Sequence, residues 1–115
     1  MKARFLTRIR LWSAAVLMAT FSLTQAQDAG KGYELFDQNC TACHQIDGKM
    51  IGPELRNVEK RLQDEQGLGK EWLYAWIKDN KALRESGDAY ANKIYAEYNN
   101  TEMLIFSGLS EGDID

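Results

Sequence analysis

The sequence has few of the side chains that hold metal ions or crosslink a chain. It contains two cysteines and one histidine in 115 residues. A closed structural zinc site needs four cysteine or histidine ligands, and a site with two histidine ligands needs a second imidazole, so both are excluded. Proline occurs once, and no internal repeat, low-complexity tract or proline-rich linker is present. A chain of this length therefore forms one domain at most.

Long apolar runs are also absent. Residues 11–23 are mostly apolar, but three hydroxyl side chains interrupt them, and a bilayer span needs about 20 apolar residues. The run follows a cationic segment, residues 1–10, and precedes small residues at Thr24 and Ala26. This order is typical of a secretory signal peptide, and the short run disfavours the alternative of a retained membrane anchor. We predict a signal peptide over residues 1–26 and a periplasmic or exported protein.

The remaining chain, residues 27–115, is acidic. Without the four cations of residues 1–10, ten basic residues stand against 17 acidic ones, a net charge of about −7. Nucleic acid is excluded as an expected partner, because binding to phosphates requires clustered lysine and arginine. The expected partner is a protein with a cationic docking surface. A domain this small often needs a crosslink or a bound group to complete its core.

The apolar pattern predicts helices and no strands. A first helix is predicted over residues 28–44, with Tyr33, Phe36, Cys40 and Cys43 on one face. Two further helices, residues 69–83 and 88–100, carry apolar stripes made of Trp72, Leu73, Trp76, Ile77 and Leu83 in one and of Tyr90, Ile94 and Tyr98 in the other.

The segments around these helices carry turn and capping signals. Gly48, Gly52 and Pro53 predict a loop after the first helix. Ser110 and Asp113 match a capping box, which predicts a helix start close to the last residue. We therefore expect the final helix to be missing or cut short and the domain of residues 27–115 to be incomplete at its C-terminus.

Both cysteines and the histidine lie together in the segment CTACH at 40–44. Three of the chemistries that use this spacing fit poorly. A thiol–disulfide site normally follows a strand, and none is predicted here. A structural disulfide would close too short a loop to restrict the unfolded chain much, and zinc lacks a fourth ligand.

Covalent attachment of haem through C-x-x-C-H fits better. On a helix, Cys40 and Cys43 would face the same side about one turn apart, within reach of the two vinyl groups on one porphyrin edge. His44 would then lie beneath the ring with a nitrogen directed at the iron. The sequence thus predicts one haem c, held by two thioether bonds and a proximal histidine.

The second iron ligand is predicted to be Met103. No second histidine exists, and residues 27–115 contain only two methionines. Met50 follows His44 too closely for its short loop to pass around the porphyrin edge. Met103 comes after the two helices that would form the pocket walls, in a loop with apolar residues behind it. Methionine otherwise serves as core filler, but His/Met ligation is established for haem proteins.

These features together resemble the small single-haem c-type cytochromes of class I, from about residue 28 to the last residue. The resemblance rests on Gly32 and Phe36, CTACH at 40–44, GPEL at 52–55, Arg61, the Trp72 helix and MLIFSGLS at 103–110. One departure is Leu104, where many bacterial relatives have proline. The fold implied is all-α, with orthogonal helices packed around one covalently attached haem.

The resemblance also implies roles for further residues. The carbonyl of Pro53 would accept a hydrogen bond from the far nitrogen of His44 and fix the ring. Arg61 and an indole, Trp72 or Trp76, would bind the haem propionates, because partly buried carboxylates need donors and a cation. The alternative for Arg61 is a solvated loop charge.

The predicted function is one-electron transfer, by a free shuttle or by an electron-transfer domain of a membrane respiratory complex. With His44 and Met103 on the iron, no position is left for a small-molecule substrate, so the protein is not expected to be an enzyme. Two alternatives remain. One is a haem enzyme or gas-binding protein with an open distal position, and the other is a thiol–disulfide protein that uses Cys40 and Cys43.

Overall fold

Helices account for the regular secondary structure of the part of the chain that the computed structural model describes, residues 28–115. The predicted signal peptide, residues 1–26, lies outside this range. The helices are α1 (Asp28–Asn39), α2 (Val58–Arg61), a π-helix (Leu62–Gln66), α3 (Lys70–Glu85), α4 (Ala89–Glu97) and α5 (Glu111–Ile114). Residues 28–115 contain no strand, and the predicted all-α fold is confirmed.

Helix α1 ends at Asn39, five residues before the predicted end at His44. Two polar side chains explain the difference, because they bond carbonyls of the last turn. The amide of Asn39 donates to the carbonyl of Leu35 at 2.8 Å, and the hydroxyl of Thr41 donates to that of Asp37 at 2.7 Å. Such local bonds compete with helix continuation. Cys40 and Cys43 therefore lie in a turn that follows the helix, and the predicted helical placement of the two cysteines is wrong.

The predicted loop after α1 is present up to Asn57, but residues 58–66 are helical. Helix α2 begins after Asn57, which has a left-handed backbone with φ 53°. The π-helix follows directly and ends at Gly67, whose φ of 67° is easily adopted by glycine. The apolar pattern was too short here to predict either element. Together they place Arg61 and Leu62 against the interior.

Helix α3 is two helical segments joined at a break. Asp79 has non-helical angles, φ −160° and ψ 78°. Its carboxylate accepts a hydrogen bond from the backbone N–H of Ala82 at 2.9 Å, the pattern of a residue that caps a new helix. The second segment ends before Gly87, which takes the left-handed conformation with φ 89°. The predicted helix is confirmed, and its break is an additional finding.

Helix α4 agrees with the prediction. Asp88 caps it by accepting from the N–H of Ala91 at 2.7 Å. Asn99 and Asn100, both with positive φ, turn the chain after its end. The chain then returns along α3, where the N–H of Phe106 donates to the carbonyl of Ile77 at 3.2 Å.

The capping box at Ser110 and Asp113 is confirmed, and the helix that it starts, α5, has four residues. Helix α5 packs against α1. The ammonium of Lys31 in α1 forms an ion pair with the carboxylate of Asp113 in α5. The face of α1 that carries Gly32 and Phe36 therefore lies beside α5, which shares a cavity with it.

The interior of residues 28–115 contains few fully buried apolar side chains. Leu62 and Ala91 are the buried hydrophobic residues, and Asn80 is the buried polar one. The other inward-facing apolar residues surround a cavity of about 780 Å³. A shell of apolar side chains around so large a space lacks the close contacts that stabilise an ordinary core. Among the described helices, none combines the length and apolar character needed to cross a membrane.

Candidate cofactor site

Seven of the eight predicted site residues line the cavity of about 780 Å³, and helices α1 to α5 all contribute to its wall. The seven are Cys40, His44, Pro53, Arg61, Trp72, Trp76 and Met103. Cys43 does not line it and is exposed. Met50 also lies outside the lining, with 41% of its surface exposed. The structure thus brings Met103, and not Met50, to the same space as His44.

His44 is oriented by the backbone of its own loop. Its Nδ1 lies 2.9 Å from the carbonyl oxygen of Pro53, the contact that the resemblance implies. A carbonyl only accepts hydrogen bonds, so Nδ1 carries a proton, and in the neutral imidazole Nε2 then keeps a free lone pair. A neutral imidazole with this tautomer is ready to bind a metal through Nε2.

Backbone hydrogen bonds hold Pro53 in place on both sides. The N–H of Gly52 donates to the carbonyl of Cys43 at 2.8 Å, and the N–H of Leu55 donates to that of Gln45 at 3.2 Å. A Cβ atom on Gly52 would overlap the imidazole ring of His44. Glycine at this position therefore lets the loop approach the ring closely enough for the Pro53 contact.

Arg61 supports the same loop. Its Nη2 donates to the carbonyl of Glu54 at 2.6 Å, and its Nε donates to that of Arg56 at 3.1 Å. Arg61 is half-buried, stands at the end of α2 and lines the cavity. It is therefore not the solvated loop charge that the sequence left as an alternative. Its two bonds connect α2 to the segment next to Pro53.

Three aromatic rings form one wall of the cavity. The indoles of Trp72 and Trp76 are stacked, with ring centroids 5.4 Å apart. The ring centroids of Trp72 and Tyr90 are 5.1 Å apart. The Nε1 of Trp72 is buried and has no hydrogen-bond partner. An unsatisfied buried donor costs about 1–3 kcal/mol. Of the two indoles that the resemblance named, Trp72 is therefore the one whose buried donor lacks an acceptor among the described residues.

The loop that carries Met103 is attached to α3 by Asn80. The buried amide of Asn80 donates to the carbonyl of Met103 at 3.1 Å and to that of Leu104 at 3.4 Å. Asn80 was not among the predicted site residues; its spacing of four residues from Trp76 places it beside the tryptophan stripe, but periodicity does not show which groups its amide bonds. The available signal was Asp79, whose type is favoured at helix starts and which marks a break just before Asn80.

The two cysteines differ in their surroundings. Both are free thiols; Cys40 is half-buried in the cavity wall and Cys43 is exposed. Burial raises the pKa of the Cys40 thiol. Reactive thiols in redox pairs have lowered pKa values, because the thiolate is the nucleophile. The environment of Cys40 is therefore opposite to that of an activated redox cysteine.

A family model for cytochrome c matches residues 29–115. The chain belongs to the cytochrome c family. It is 36% identical over 72 residues to cytochrome c2 from Rhodopseudomonas palustris, a match that covers 63% of this chain and 58% of the length of that relative. The resemblance to class I c-type cytochromes is confirmed.

Two solved cytochrome c structures have a similar fold. Cytochrome c from Rhodothermus marinus has a TM-score of 0.60 at 28% identity, over 78% of this chain and 70% of that one. An engineered cytochrome c from the same organism has a TM-score of 0.50 at 29% identity, over 84% of this chain and 76% of that one. Both similarities extend over most of the described residues.

The cavity of this cytochrome c fits haem c in three respects. Its wall is mainly apolar, as required for a porphyrin face, and its volume falls within the range of about 300–1,000 Å³ usual for cofactor sites. His44 presents Nε2, and Cys40 is at the same wall. The unpaired Nε1 of Trp72 supplies a donor for a carboxylate. A cofactor with an apolar ring, a central metal ion and carboxylates at one edge would match the apolar wall, the nitrogen of His44 and the donor of Trp72.

Proposed function

We propose that this protein transfers single electrons by means of one haem c, attached covalently through Cys40 and Cys43 and ligated by His44 and Met103. The main supporting observation is that His44 and Met103, which are distant in sequence, line one apolar cavity together with Cys40. The half-buried thioether of Met103 and the oriented imidazole of His44 are the two ligands of a known haem type.

Each residue has a separate task in this proposal. When bound, haem supplies an iron that changes between the ferric and ferrous states. His44 donates Nε2 to that iron, and its bond to Pro53 fixes the ring and raises its basicity. The thioether of Met103 favours the ferrous state and raises the potential. Trp72 and Arg61 face the cavity as donors for the propionates.

Ligation by two side chains would distinguish a carrier from an enzyme. If His44 and Met103 both held the iron, no position would be left for a small-molecule substrate, and both oxidation states would keep the same ligands. Cys43 is exposed, which supports a haem edge near the surface if the ring is attached there. An electron would leave there, during a brief contact with a redox partner.

The partner and the location follow from charge and from the predicted signal peptide. The net charge of about −7 over residues 27–115 complements a redox protein with a cationic docking surface. The predicted signal peptide over residues 1–26 supports a location in the periplasm or outside the cell. It acts there as a shuttle or as an electron-transfer domain of a respiratory complex, consistent with its similarity to a cytochrome c2.

The proposal is tested by expressing the chain with haem-attachment machinery and recording visible spectra. We expect covalently bound haem, a methionine-to-ferric charge-transfer band in the oxidised protein and no binding of carbon monoxide to the reduced protein. A double variant, Cys40→Ala with Cys43→Ala, serves as the control and should lose covalent haem. A high-spin spectrum with ready carbon monoxide binding would contradict the proposal and identify an open distal position.

A further inference from the structure

Asn80 directly follows the break in α3 at Asp79. It lies three residues after Ile77 and four after Trp76, the spacing of the apolar stripe of α3, and only 2% of its surface is exposed. A buried amide is stable only when its polar atoms have partners. Asn80 finds acceptors in the carbonyls of Met103 and Leu104.

Two further contacts attach the same loop, residues 101–106, to α3. The N–H of Phe106 donates to the carbonyl of Ile77, just before the break. At the other end, the guanidinium of Arg84 pairs with Glu102 at 3.3 Å. Along α3, Asn80 lies between Ile77 and Arg84. Its amide bonds the carbonyls of Met103 and Leu104, which lie between Glu102 and Phe106 in the loop. The loop therefore runs antiparallel to the second half of α3 and is attached at three points.

Apolar packing contributes little to this part of the loop. Leu104 and Ile105, which follow Met103, are 70% and 48% exposed. The pair between Arg84 and Glu102 is also weak, because 65% of the Glu102 side chain is exposed and water screens such pairs. The amide of Asn80 is buried and its two bonds are part-buried, so water screens them less than the pair between Arg84 and Glu102. They attach the backbone of Met103 and Leu104 directly to α3.

We propose that Asn80 is a positioning residue that keeps the sulfur of Met103 in place for the iron. This inference rests on the proposed His44 and Met103 ligation. Asn80 touches neither the cofactor nor the sulfur in this assignment, and it acts through the backbone of Met103 and Leu104. Its loss shifts the loop toward conformations in which the thioether is off the iron, so that an external ligand competes more easily.

The test compares variants of the ferric holoprotein in imidazole titrations. Asn80→Leu keeps the shape of the side chain and removes the donor, and Asn80→Ala also removes its volume. We expect imidazole to bind about tenfold more tightly to both variants than to the wild type, a change of about 1.4 kcal/mol at 25 °C. The methionine-to-ferric charge-transfer band should weaken in parallel.

Asn92 is a matched control. Its amide also donates to two carbonyls, those of Arg84 at 3.0 Å and Asp88 at 2.9 Å, but outside the methionine loop. Asn92→Ala should leave imidazole affinity within about twofold of the wild type, since it breaks comparable bonds elsewhere. Equal imidazole affinities for Asn80→Leu and Asn92→Ala would overturn the proposal, whatever their stability. If Asn80→Ala gives no holoprotein, the imidazole affinity of Asn80→Leu alone tests the proposal.

The wild type provides a second test that needs no folding of a variant. The side-chain amide protons of Asn80 should exchange with solvent at least tenfold more slowly than those of Asn92, which is exposed. Similar exchange rates would overturn the assignment. Failure of the ligation itself is distinguished by Met103→Ala. If that variant keeps the wild-type spectrum, the proposed ligands are wrong, whereas a changed Met103→Ala spectrum with unaffected Asn80 variants rejects the positioning role alone.

Discussion

The imidazole of His44 and the carbonyl of Pro53 form a 2.9 Å hydrogen bond that fixes which ring nitrogen remains available to a metal. The bond depends on Gly52, since the neighbouring backbone approaches the ring too closely for any side chain. The site is thus prepared by the loop after the C-x-x-C-H segment. Its geometry follows from one proline carbonyl and one glycine.

The first prediction concerns Gly52. Gly52→Ala forces a methyl group against the imidazole, so the ring or the loop must move. We expect the free energy of unfolding of the holoprotein to fall by about 1–3 kcal/mol, as for overpacked interiors, and the Soret band to shift. Guanidinium titration and absorbance spectra measure both. Gly108→Ala is the control, because a Cβ there meets no atom within 4 Å. Equal effects of the two substitutions would contradict the account.

The second prediction separates the two stacked indoles. Trp72→Phe removes a buried N–H that lacks a protein partner, whereas Trp76→Phe removes similar volume from the same stack. If a haem propionate accepts from Trp72, its loss destabilises the holoprotein by about 1.5–3 kcal/mol more than the loss of Trp76 does. Guanidinium unfolding of both variants measures the difference. Equal stabilities would show that the Trp72 N–H has no charged acceptor.

The third prediction concerns the break in α3. Asp79→Ala removes the acceptor for the N–H of Ala82, which should cost about 1 kcal/mol of stability. Asn80 begins the helical segment that this cap stabilises, so the methionine-to-ferric band should decrease. Asp79→Asn keeps an acceptor oxygen and serves as the control. A continuous helix through residue 79 would instead leave Asp79→Ala as stable as Asp79→Asn.

The fourth prediction concerns acid stability. The ion pair with Lys31, followed by hydrogen bonds from Ser110, lowers the pKa of Asp113 from 3.8 to about 2. The lowered folded-state pKa means that this carboxylate contributes stability above pH 3.8, and that the contribution is lost as the pH falls through about 2.

Thermal melting across this range tests the Asp113 prediction. Asp113→Asn should melt below the wild type at about pH 5, and the two melting temperatures should converge as the pH approaches 2. Glu111→Gln, on the same short helix, leaves the ion pair between Asp113 and Lys31 intact and serves as the control. A constant difference between wild type and Asp113→Asn down to pH 2 would show that the carboxylate does not carry the effect.

Local sequence signals predicted much of the fold and the positions of several site residues. Periodic apolar residues predicted α3 and α4, and the capping box at Ser110 predicted α5. These signals act over one or two helical turns, so they can be read without knowledge of tertiary contacts. The C-x-x-C-H segment and the scarcity of histidine and methionine then limited the choice of iron ligands to His44 and Met103.

The features that the sequence missed depend on side chains that bond distant or competing backbone groups. The end of α1 at Asn39 results from side-chain bonds that compete with the helix, and periodicity does not contain that information. Asn80 is spaced to lie beside Trp76 and Ile77, but its position on the helix does not reveal which carbonyls its amide bonds. Its role became visible only when the break at Asp79 and the carbonyls of Met103 and Leu104 were located together.

The most direct test of the account is the redox midpoint and the oxidised spectrum of Met103→Ala compared with the wild-type holoprotein. Met50→Ala is the matched control, because Met50 is exposed and lies outside the cavity lining. We predict that Met103→Ala loses the methionine-to-ferric band, binds carbon monoxide when reduced and has a lower midpoint, since loss of the thioether disfavours the ferrous state. Met50→Ala should match the wild type. A Met103→Ala holoprotein with unchanged spectrum and midpoint would contradict the central claim.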